Sequence, residues 1–235
     1  MVCWWATGLS LAGLSDPLTW QLTRELLADL VPPGLPDGGA AVLLDAVVDT
    51  VAMAVLAMTL AVVVTVLVGP WAAGRSVARY PARSLLLVLR SVPPTVWAVL
   101  ALFVLLPGVL PGALALGLYA AGILGRLVAE AWESQDRSAA RALERAGTPR
   151  WLAGLAAVLP GSAHQLRIYT LYRFEVSIRD TTVVGVVGAA GLGRLFAENL
   201  ASFRFDVVAS LLLASFLLSV GVEQLGRQLR RASAD

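Results

Sequence analysis

The chain has 235 residues, of which 58% are hydrophobic and only 14% are charged, and its mean hydropathy is +0.77. A water-soluble domain of this length does not need so much apolar surface, so the composition excludes an ordinary soluble protein and predicts a polytopic membrane protein. The formal net charge is only +2, and nothing in it predicts a nucleic-acid partner.

The residue types give little support for a metal site or for a nucleotide-hydrolysing site in this chain. The single cysteine, Cys3, allows no internal disulfide, and together with the single histidine, His164, it argues against a Cys- or His-based metal site. No GxxxxGK(S/T) motif occurs, so any ATP hydrolysis must come from a partner.

The first 44 residues predict a partial membrane segment and a short interfacial element. Residues 1–14 are apolar but too short for a span of about 20 residues, so they are interpreted as the end of a first span whose beginning is missing. Residues 15–45 mix polar and apolar side chains and contain the breaker run 32–39. They predict a short interfacial helix followed by an extracytoplasmic loop.

Four apolar stretches predict transmembrane helices, at residues 46–68, 84–106, 113–131 and 205–226. Pro93 and Pro94 are expected to break or kink the second stretch about a third of the way along it. In the third stretch, Gly117, Ala121 and Gly125 recur every four residues, which predicts a face of small side chains for close helix packing.

Basic residues predict the orientation of the chain. Arginines are concentrated in residues 70–83, 130–150 and 227–231. By the positive-inside rule these segments, and with them the carboxyl terminus, are expected in the cytoplasm.

A charged segment lies between apolar stretches at residues 141–160. It predicts a short helix ending at Gly147, a second helix with Thr148 as N-cap and Pro149 as its first residue, and a boundary at Pro160. A helix–turn–helix between membrane spans is well placed to be bound by a partner in the aqueous phase. We therefore interpret this segment as a docking element.

Residues 159–180 are predicted to cross the membrane although they carry several ionisable side chains, which usually face a bundle interior or a wet cavity. At 100° per residue the polar groups fall on two roughly opposite sides, the larger set within an arc of about 140°. The larger set is His164, Arg167, Tyr172, Glu175 and Arg179, and the smaller set is Tyr169, Arg173 and Asp180. Either a polar face lines a translocation pathway, or Glu175 and Arg179 neutralise each other at i, i+4 and the others snorkel.

Residues 181–193 contain Gly185, Gly188, Gly191 and Gly193, which supply backbone freedom and allow close approach. Such backbone at membrane depth is tolerated only where it is buried in protein or faces water. We favour a tight re-entrant turn that lets helices pack. A phosphate-type cradle of backbone N–H groups is the alternative.

The docking segment resembles the cytoplasmic loop of ABC importer permeases. The pattern of that loop is Glu-Ala-Ala, three residues, Gly, nine residues, Ile, one residue, Leu-Pro. The chain matches it at Ala142, Gly147, Leu159 and Pro160, and it departs from it at Arg141, Leu143 and Ala157.

Further motifs resemble the phosphonate-type ABC importer permeases from about residue 43 to the end. They are Arg90-Ser-Val-Pro93 with Val96-Trp97-Ala98, Gly122-Ile-Leu-Gly125 with Ala129-Glu130-Ala131, Tyr169-Thr-Leu-Tyr-Arg-Phe-Glu175, Arg179, Thr182-Val-Val-Gly185 and Gly188-Ala-Ala-Gly-Leu-Gly193. Pro94 and Asp180 depart from the family pattern.

The resemblance implies an all-α polytopic membrane protein with the type I ABC importer permease (MetI-like) helical bundle. It implies about five to six transmembrane helices, the first apparently truncated, with residues 45–235 as the permease core and residues 130–160 as its cytoplasmic coupling loop. The implied substrate is a phosphonate or a related phosphorus oxyanion, phosphite or phosphate. The implied location is the cell membrane, inner or plasma.

The resemblance also implies that the chain is not an enzyme and binds no cofactor itself. ATP and Mg²⁺ would be bound by two partner ABC ATPase subunits. The other implied partners are a second permease copy or paralogue, an extracytoplasmic substrate-binding protein and membrane lipid.

Two sets of site residues follow from the resemblance and from the polar pattern, with no catalytic residue and no metal ligand among them. The ATPase-docking residues are Ala142, Leu143, Glu144, Gly147, Trp151 and Pro160. The translocation-pathway residues are Arg173, Glu175, Arg179, Thr182 and Gly188.

Two other classes of protein stay open. A proton-coupled secondary transporter would use Glu175, Asp180 and His164 as a relay without a partner ATPase, although no convincing internal repeat is seen. A non-transporting membrane scaffold paralogue is suggested by Arg141 and by the short amino terminus.

Overall fold

The computed structural model describes residues 16–74, 76–135 and 138–232, apart from the side chains of residues 150, 151, 155, 158, 159, 231 and 232. All regular structure in these ranges is helical. The helices are α1 (Pro17–Asp29), α2 (Gly39–Ala72), α3 (Arg79–Ser91), α4 (Pro94–Val104), α5 (Val109–Ser134), α6 (Ser138–Arg145), α7 (Arg150–Val186), α8 (Leu192–Ala201) and α9 (Phe205–Ala232). The predicted first span, at residues 1–14, lies outside the described residues.

Helix α5 is the centre of the bundle and packs against α2, α3, α4 and α7. Its small residues let neighbouring backbones approach closely, as predicted. A Cβ added to Gly117 would lie 3.0 Å from the Ala57 carbonyl oxygen of α2. One added to Gly122 would lie 2.6 Å from the backbone nitrogen of Arg90 on α3. The close face is therefore wider than predicted, because Gly122 belongs to it as well.

Many of the buried side chains are small, and many of the large apolar ones lie on the outside of the bundle. The core clusters are rich in alanine, and their larger members include Met53, Leu86, Leu116, Leu124 and Val184. Many leucines, valines and phenylalanines of α2, α4 and α9 are exposed. This arrangement is typical of helices packed in lipid, where small interfaces and van der Waals contact hold the helices together.

Within the described residues, three helices are long and apolar enough to cross a membrane, namely α2, α5 and α9. The pair α3 and α4 makes a fourth if it is counted as one broken span, because the two helices meet at an angle of 91°. Helix α7 has 37 residues but is too polar to pass the same test.

The bend between α3 and α4 confirms the break predicted at Pro93 and Pro94. Pro93 precedes α4 with an extended ψ of 145°, and Pro94 is the first residue of the helix. Prolines at this point leave carbonyl groups of the preceding helix without their usual donors. One of them is satisfied by a side chain, since the Trp97 Nε1–H donates to the Leu89 oxygen at 3.2 Å.

Helix α7 corrects three predictions. It runs through Pro160 without a boundary. A proline inside a helix removes one backbone hydrogen bond and crowds the preceding turn, but the flanking turns can continue as helix. It begins at Arg150, because Pro149 keeps a non-helical ψ of 137° and takes the cap position predicted for Thr148. It also extends to Val186, so the first half of the predicted glycine-rich turn is helical.

Candidate functional site

The turn between α6 and α7 is built by a left-handed glycine. Gly147 has φ +94°, and its N–H donates to the Glu144 oxygen at 3.1 Å. The Thr148 N–H donates to the Leu143 oxygen at 3.0 Å. These two bonds form a Schellman motif, in which glycine is preferred because it adopts a positive φ without steric cost. The predicted end of the first helix at Gly147 is confirmed.

The α6–α7 turn projects from the bundle. Over the described residues α6 packs only against α7, and residues 141–147 are exposed. The structure therefore brings Ala142, Leu143, Glu144 and Gly147 together on one accessible projection. Pro160 is also exposed, but it lies farther along α7. The backbone of Trp151 is in the first turn of α7, and its side chain lies outside the described residues.

Glu175 is buried and is paired with the last helix. Its side chain is 8% exposed, and Oε1 accepts a hydrogen bond from Arg230 Nη1 at 2.5 Å. Gly226 makes room for this pair, because a Cβ at that position would run into Glu175 Oε1. The predicted alternative in which Glu175 is neutralised by Arg179 is wrong, since the partner comes from α9, 55 residues away in sequence.

Arg173 is buried with an incomplete set of partners. The residue is 8% exposed, and its Nη2 donates to Asp180 Oδ2 at 3.3 Å, a long hydrogen bond. Its Cζ lies 5.0 Å from the centroid of the Tyr119 ring, within range of a cation–π interaction. Its Nε is buried and has no hydrogen-bond partner.

Arg179 and Thr182 line an open groove between α7 and α9 that has a volume of ≈ 350 Å³. The α9 side of the groove contributes Ser215, Phe216, Ser219, Val220 and Glu223. The groove is thus lined by a basic group on one helix, an acidic group on the other and hydroxyls from both.

The glycine-rich turn between α7 and α8 is a packing device. Gly188 and Gly191 have φ +107° and +77°, which other residues rarely adopt. A Cβ on Gly185 would lie 2.8 Å from the Ala190 oxygen, and one on Gly193 would run into the Thr182 carbonyl oxygen. This geometry supports the interpretation as a tight turn that packs helices.

The alternative of a phosphate cradle at this turn is not supported. The first N–H of α8, that of Leu192, donates to Thr50 Oγ1 at 3.0 Å inside the protein. The Thr50 hydroxyl in turn donates to the Ala46 oxygen at 2.7 Å. Leu192 and Gly193 are buried, so this helix end faces protein.

The polar residues of α7 are therefore separated into distinct places. Arg173 and Glu175 are buried with different partners, Arg179 and Thr182 line one groove, and Gly188 lies in the turn.

A continuous proton relay among His164, Glu175 and Asp180 is not built. His164 is exposed, and the two acids pair with different arginines. No cluster of three His, Cys, Asp or Glu side chains in the described ranges is placed to hold a metal ion.

Sequence reasoning missed Arg230, Gly226, Tyr119 and Thr50 as parts of these arrangements. A signal existed for one of them, because a buried glutamate needs a compensating cation, and the arginines of residues 227–231 are candidates. The roles of Gly226, Tyr119 and Thr50 become visible only when the helices are packed together.

Residues 61–233 match the family described as "Binding-protein-dependent transport system inner membrane component". The phosphate-import permease protein PhnE of Mycolicibacterium smegmatis is 34% identical over 218 residues, which cover 90% of this chain and 41% of that protein. The phosphite transport system permease protein PtxC of Stutzerimonas stutzeri is 32% identical over 238 residues, which cover 98% of this chain and 84% of that protein. The chain thus spans about two fifths of the length of the first relative and most of the second.

The fold is that of a solved importer. An inward-facing structure of the MetNI methionine ABC transporter matches with a TM-score of 0.67 at 20% identity, covering 83% of this chain and 97% of that chain. This match confirms the predicted MetI-like helical bundle. The family match identifies a non-catalytic, multi-pass component of the inner membrane. The chain is a permease that belongs to the family of binding-protein-dependent transport system inner membrane components.

Proposed function

We propose that the chain is the transmembrane permease subunit of an ATP-driven importer for phosphonate or a related phosphorus oxyanion, phosphite or phosphate. One observation carries the substrate class: relatives that are 34% and 32% identical over nine tenths or more of this chain are named for phosphate import and phosphite transport. In this proposal, residues 45–235 are the permease core and residues 1–44 lie outside it.

The proposed complex contains two ABC ATPase subunits, a second permease copy or paralogue and an extracytoplasmic substrate-binding protein. ATP and Mg²⁺ are bound by the ATPase subunits. The membrane orientation follows from the arginine distribution, with residues 130–160 and the carboxyl terminus in the cytoplasm.

The α6–α7 projection is the proposed docking point for an ATPase subunit. Leu143 and Leu152 are 36% and 42% exposed there, next to charged side chains. Apolar side chains that project into water gain free energy when a partner covers them. Ala142, Glu144, Gly147, Trp151 and Pro160 complete the proposed docking set.

Helix α7 is suited to transmit motion from this point. It is continuous over 37 residues, or roughly 55 Å at 1.5 Å per residue. One end carries the docking turn, and the other end is packed against α8 through Gly185 and Gly193. Closure of the ATPase subunits would therefore move the proposed pathway residues Arg173, Glu175, Arg179 and Thr182 together as parts of α7, and the proposed pathway residue Gly188 in the turn that follows it.

The test is co-purification of the tagged chain from its native membrane, followed by uptake in proteoliposomes. The proposal expects recovery of an ATPase subunit and a second permease chain, with ATP hydrolysis stimulated by a binding protein loaded with phosphonate, phosphite or phosphate. The matched control is the same binding protein without ligand. Recovery of the chain alone, or hydrolysis that only another class of solute stimulates, would contradict the proposal.

A further inference from the structure

Two arginines carry a buried Nε–H, although Arg173 is buried as a whole and Arg90, near the end of α3, is partly exposed. The buried Nε of Arg173 has no hydrogen-bond partner, and the same is true of the buried Nε of Arg90 on α3. Within the part of the chain that the structure describes, Arg90 forms no ion pair. A buried N–H of a guanidinium that has no acceptor is an unsatisfied donor, which an entering ligand could satisfy.

Both arginines contact the same turn of α5. The Arg173 Cζ lies 5.0 Å from the Tyr119 ring, and a Cβ on Gly122 would lie 2.9 Å from the Cβ of Arg90. Tyr119 and Gly122 are three residues apart, so they share a helix face and are about 4.5 Å apart along the axis. No Cα atoms of α3 and α7 lie within 8 Å of each other over their described lengths, and both helices pack on α5. The two arginines are therefore carried by helices that pack on the same turn of α5.

This turn lies near the middle of an apolar span. Helix α5 covers Val109–Ser134, and the turn falls where its two buried clusters meet, next to Leu116 and Ala120. Charges at such depth are costly, and they mark ion or substrate pathways in membrane proteins.

The positive charge at this place is only partly balanced. Asp180 pairs with Arg173, and the carboxyl end of α3 supplies roughly half a negative charge next to Arg90. No acidic side chain in the described ranges pairs with Arg90. A bound anion would neutralise the remaining positive charge of the two arginines.

We infer that Arg90 and Arg173 form an oxyanion-binding station between α3 and α7, in which the substrate is held on its way through the membrane. This inference rests on the proposed function and adds Arg90 to the pathway. A tetrahedral phosphorus oxyanion presents several oxygens in different directions, and two guanidinium groups from two helices can reach it together.

Asp180 gives this station a means of release. Its hydrogen bond to Arg173 is long, at 3.3 Å, and can be exchanged for one to an entering anion. When the anion leaves, the hydrogen bond between Asp180 and Arg173 forms again. The anion and the carboxylate thus compete for one guanidinium, which keeps binding modest enough for transport.

The experiment uses the assembled complex in proteoliposomes, with radiolabelled phosphite uptake as one readout. Equilibrium binding of inorganic phosphate to the purified complex, without the binding protein, is the other. Arg90→Gln is expected to lower both by about tenfold or more, as the loss of a charge-assisted hydrogen bond requires. Arg90→Lys should restore part of the loss. The control Arg126→Gln alters an exposed arginine of α5 that pairs with Glu130 and should leave both readouts unchanged.

Asp180→Asn tests the same site in the opposite direction. Removing the competing carboxylate should tighten phosphate binding several-fold and slow uptake. Unchanged binding in Asp180→Asn, or an assembled Arg90→Gln complex that binds phosphate like the wild type, overturns the station.

The proposed function and the oxyanion-binding station can be contradicted independently of each other. If the wild type imports only another class of solute, the proposed function is wrong. The station then stands if phosphate binding to the wild type depends on Arg90, and it falls if the wild type binds no phosphate.

Discussion

The two parts of α7 differ in the exposure and the pairing of their polar side chains. In residues 150–167, polar side chains such as His164 are exposed. In residues 173–186, the charged groups Arg173 and Glu175 are each 8% exposed and are tied to acids or bases within the bundle. The same helix thus serves as an accessible surface at one end and as a cross-linked core element at the other. A count of charged residues does not separate these roles, whereas the partner of each charge does.

The largest expected effect comes from the Glu175–Arg230 pair. Arg230→Gln leaves the buried Glu175 carboxylate without its cation, which costs about 3–5 kcal/mol where the site is well desolvated. The measurement is the free energy of unfolding in mixed micelles. The double variant Glu175→Gln with Arg230→Gln should recover a large part of the loss. A single variant as stable as the wild type would show that the pair is solvated.

Gly185→Ala tests the packing at the far end of α7. The added Cβ would lie 2.8 Å from the Ala190 oxygen and 2.8 Å from the Gly193 Cα, and these backbone atoms cannot move aside cheaply. The expected loss is about 1–3 kcal/mol in the free energy of unfolding. In the control Gly221→Ala, no atom lies within 4 Å of the new Cβ, and stability should stay level or rise by up to about 1 kcal/mol.

At the exposed end, Gly147→Ala should affect docking more than folding. Alanine at φ +94° costs about 1–2 kcal/mol, and this cost falls on a turn whose helix α6 packs only on α7 among the described elements. We expect several-fold lower recovery of the ATPase subunit with an almost unchanged midpoint of global unfolding. Gly154→Ala, inside α7 with open space around the new Cβ, is the control and should recover the ATPase normally.

The smallest effect is expected for the exposed pair Arg194–Glu198, which lies at i, i+4 on α8 with both side chains about half exposed. Arg194→Gln should change the free energy of unfolding by no more than about 0.5 kcal/mol, less at high salt. A loss comparable to that of Arg230→Gln would erase the distinction between exposed and buried charges.

The sequence predicted those features that depend on local chemistry. The break at Pro93 and Pro94, the helix end at Gly147 and the small face around Gly117 all follow from residues near each other in the chain, and the structure confirms them. The docking and pathway roles of the named residues stay predictions.

The features that the sequence did not predict depend on distant partners or on weak local preferences. Arg230 lies 55 residues beyond Glu175, so the pairing is visible only when α7 and α9 are packed together. Pro160 predicts a helix boundary because a proline inside a helix costs about 3 kcal/mol. Helix α7 nevertheless continues through it, and the burial and pairing farther along the helix offset this cost. The position of the turn after Val186 is likewise set by tertiary contact with α8.

The right-angle bend between α3 and α4 has a consequence for the surrounding lipid. The two helices have 13 and 11 residues, so their lengths are about 20 Å and 16 Å, and neither alone matches a hydrocarbon layer of about 30 Å. A straight span adjusts to bilayer thickness by tilting, whereas two arms joined at 91° and tied by the Trp97 indole cannot both tilt. Mismatch at this broken span is therefore relieved by routes other than tilt, such as local thinning of the bilayer or snorkelling of flanking side chains, and we expect the activity of the assembled complex to depend on bilayer thickness.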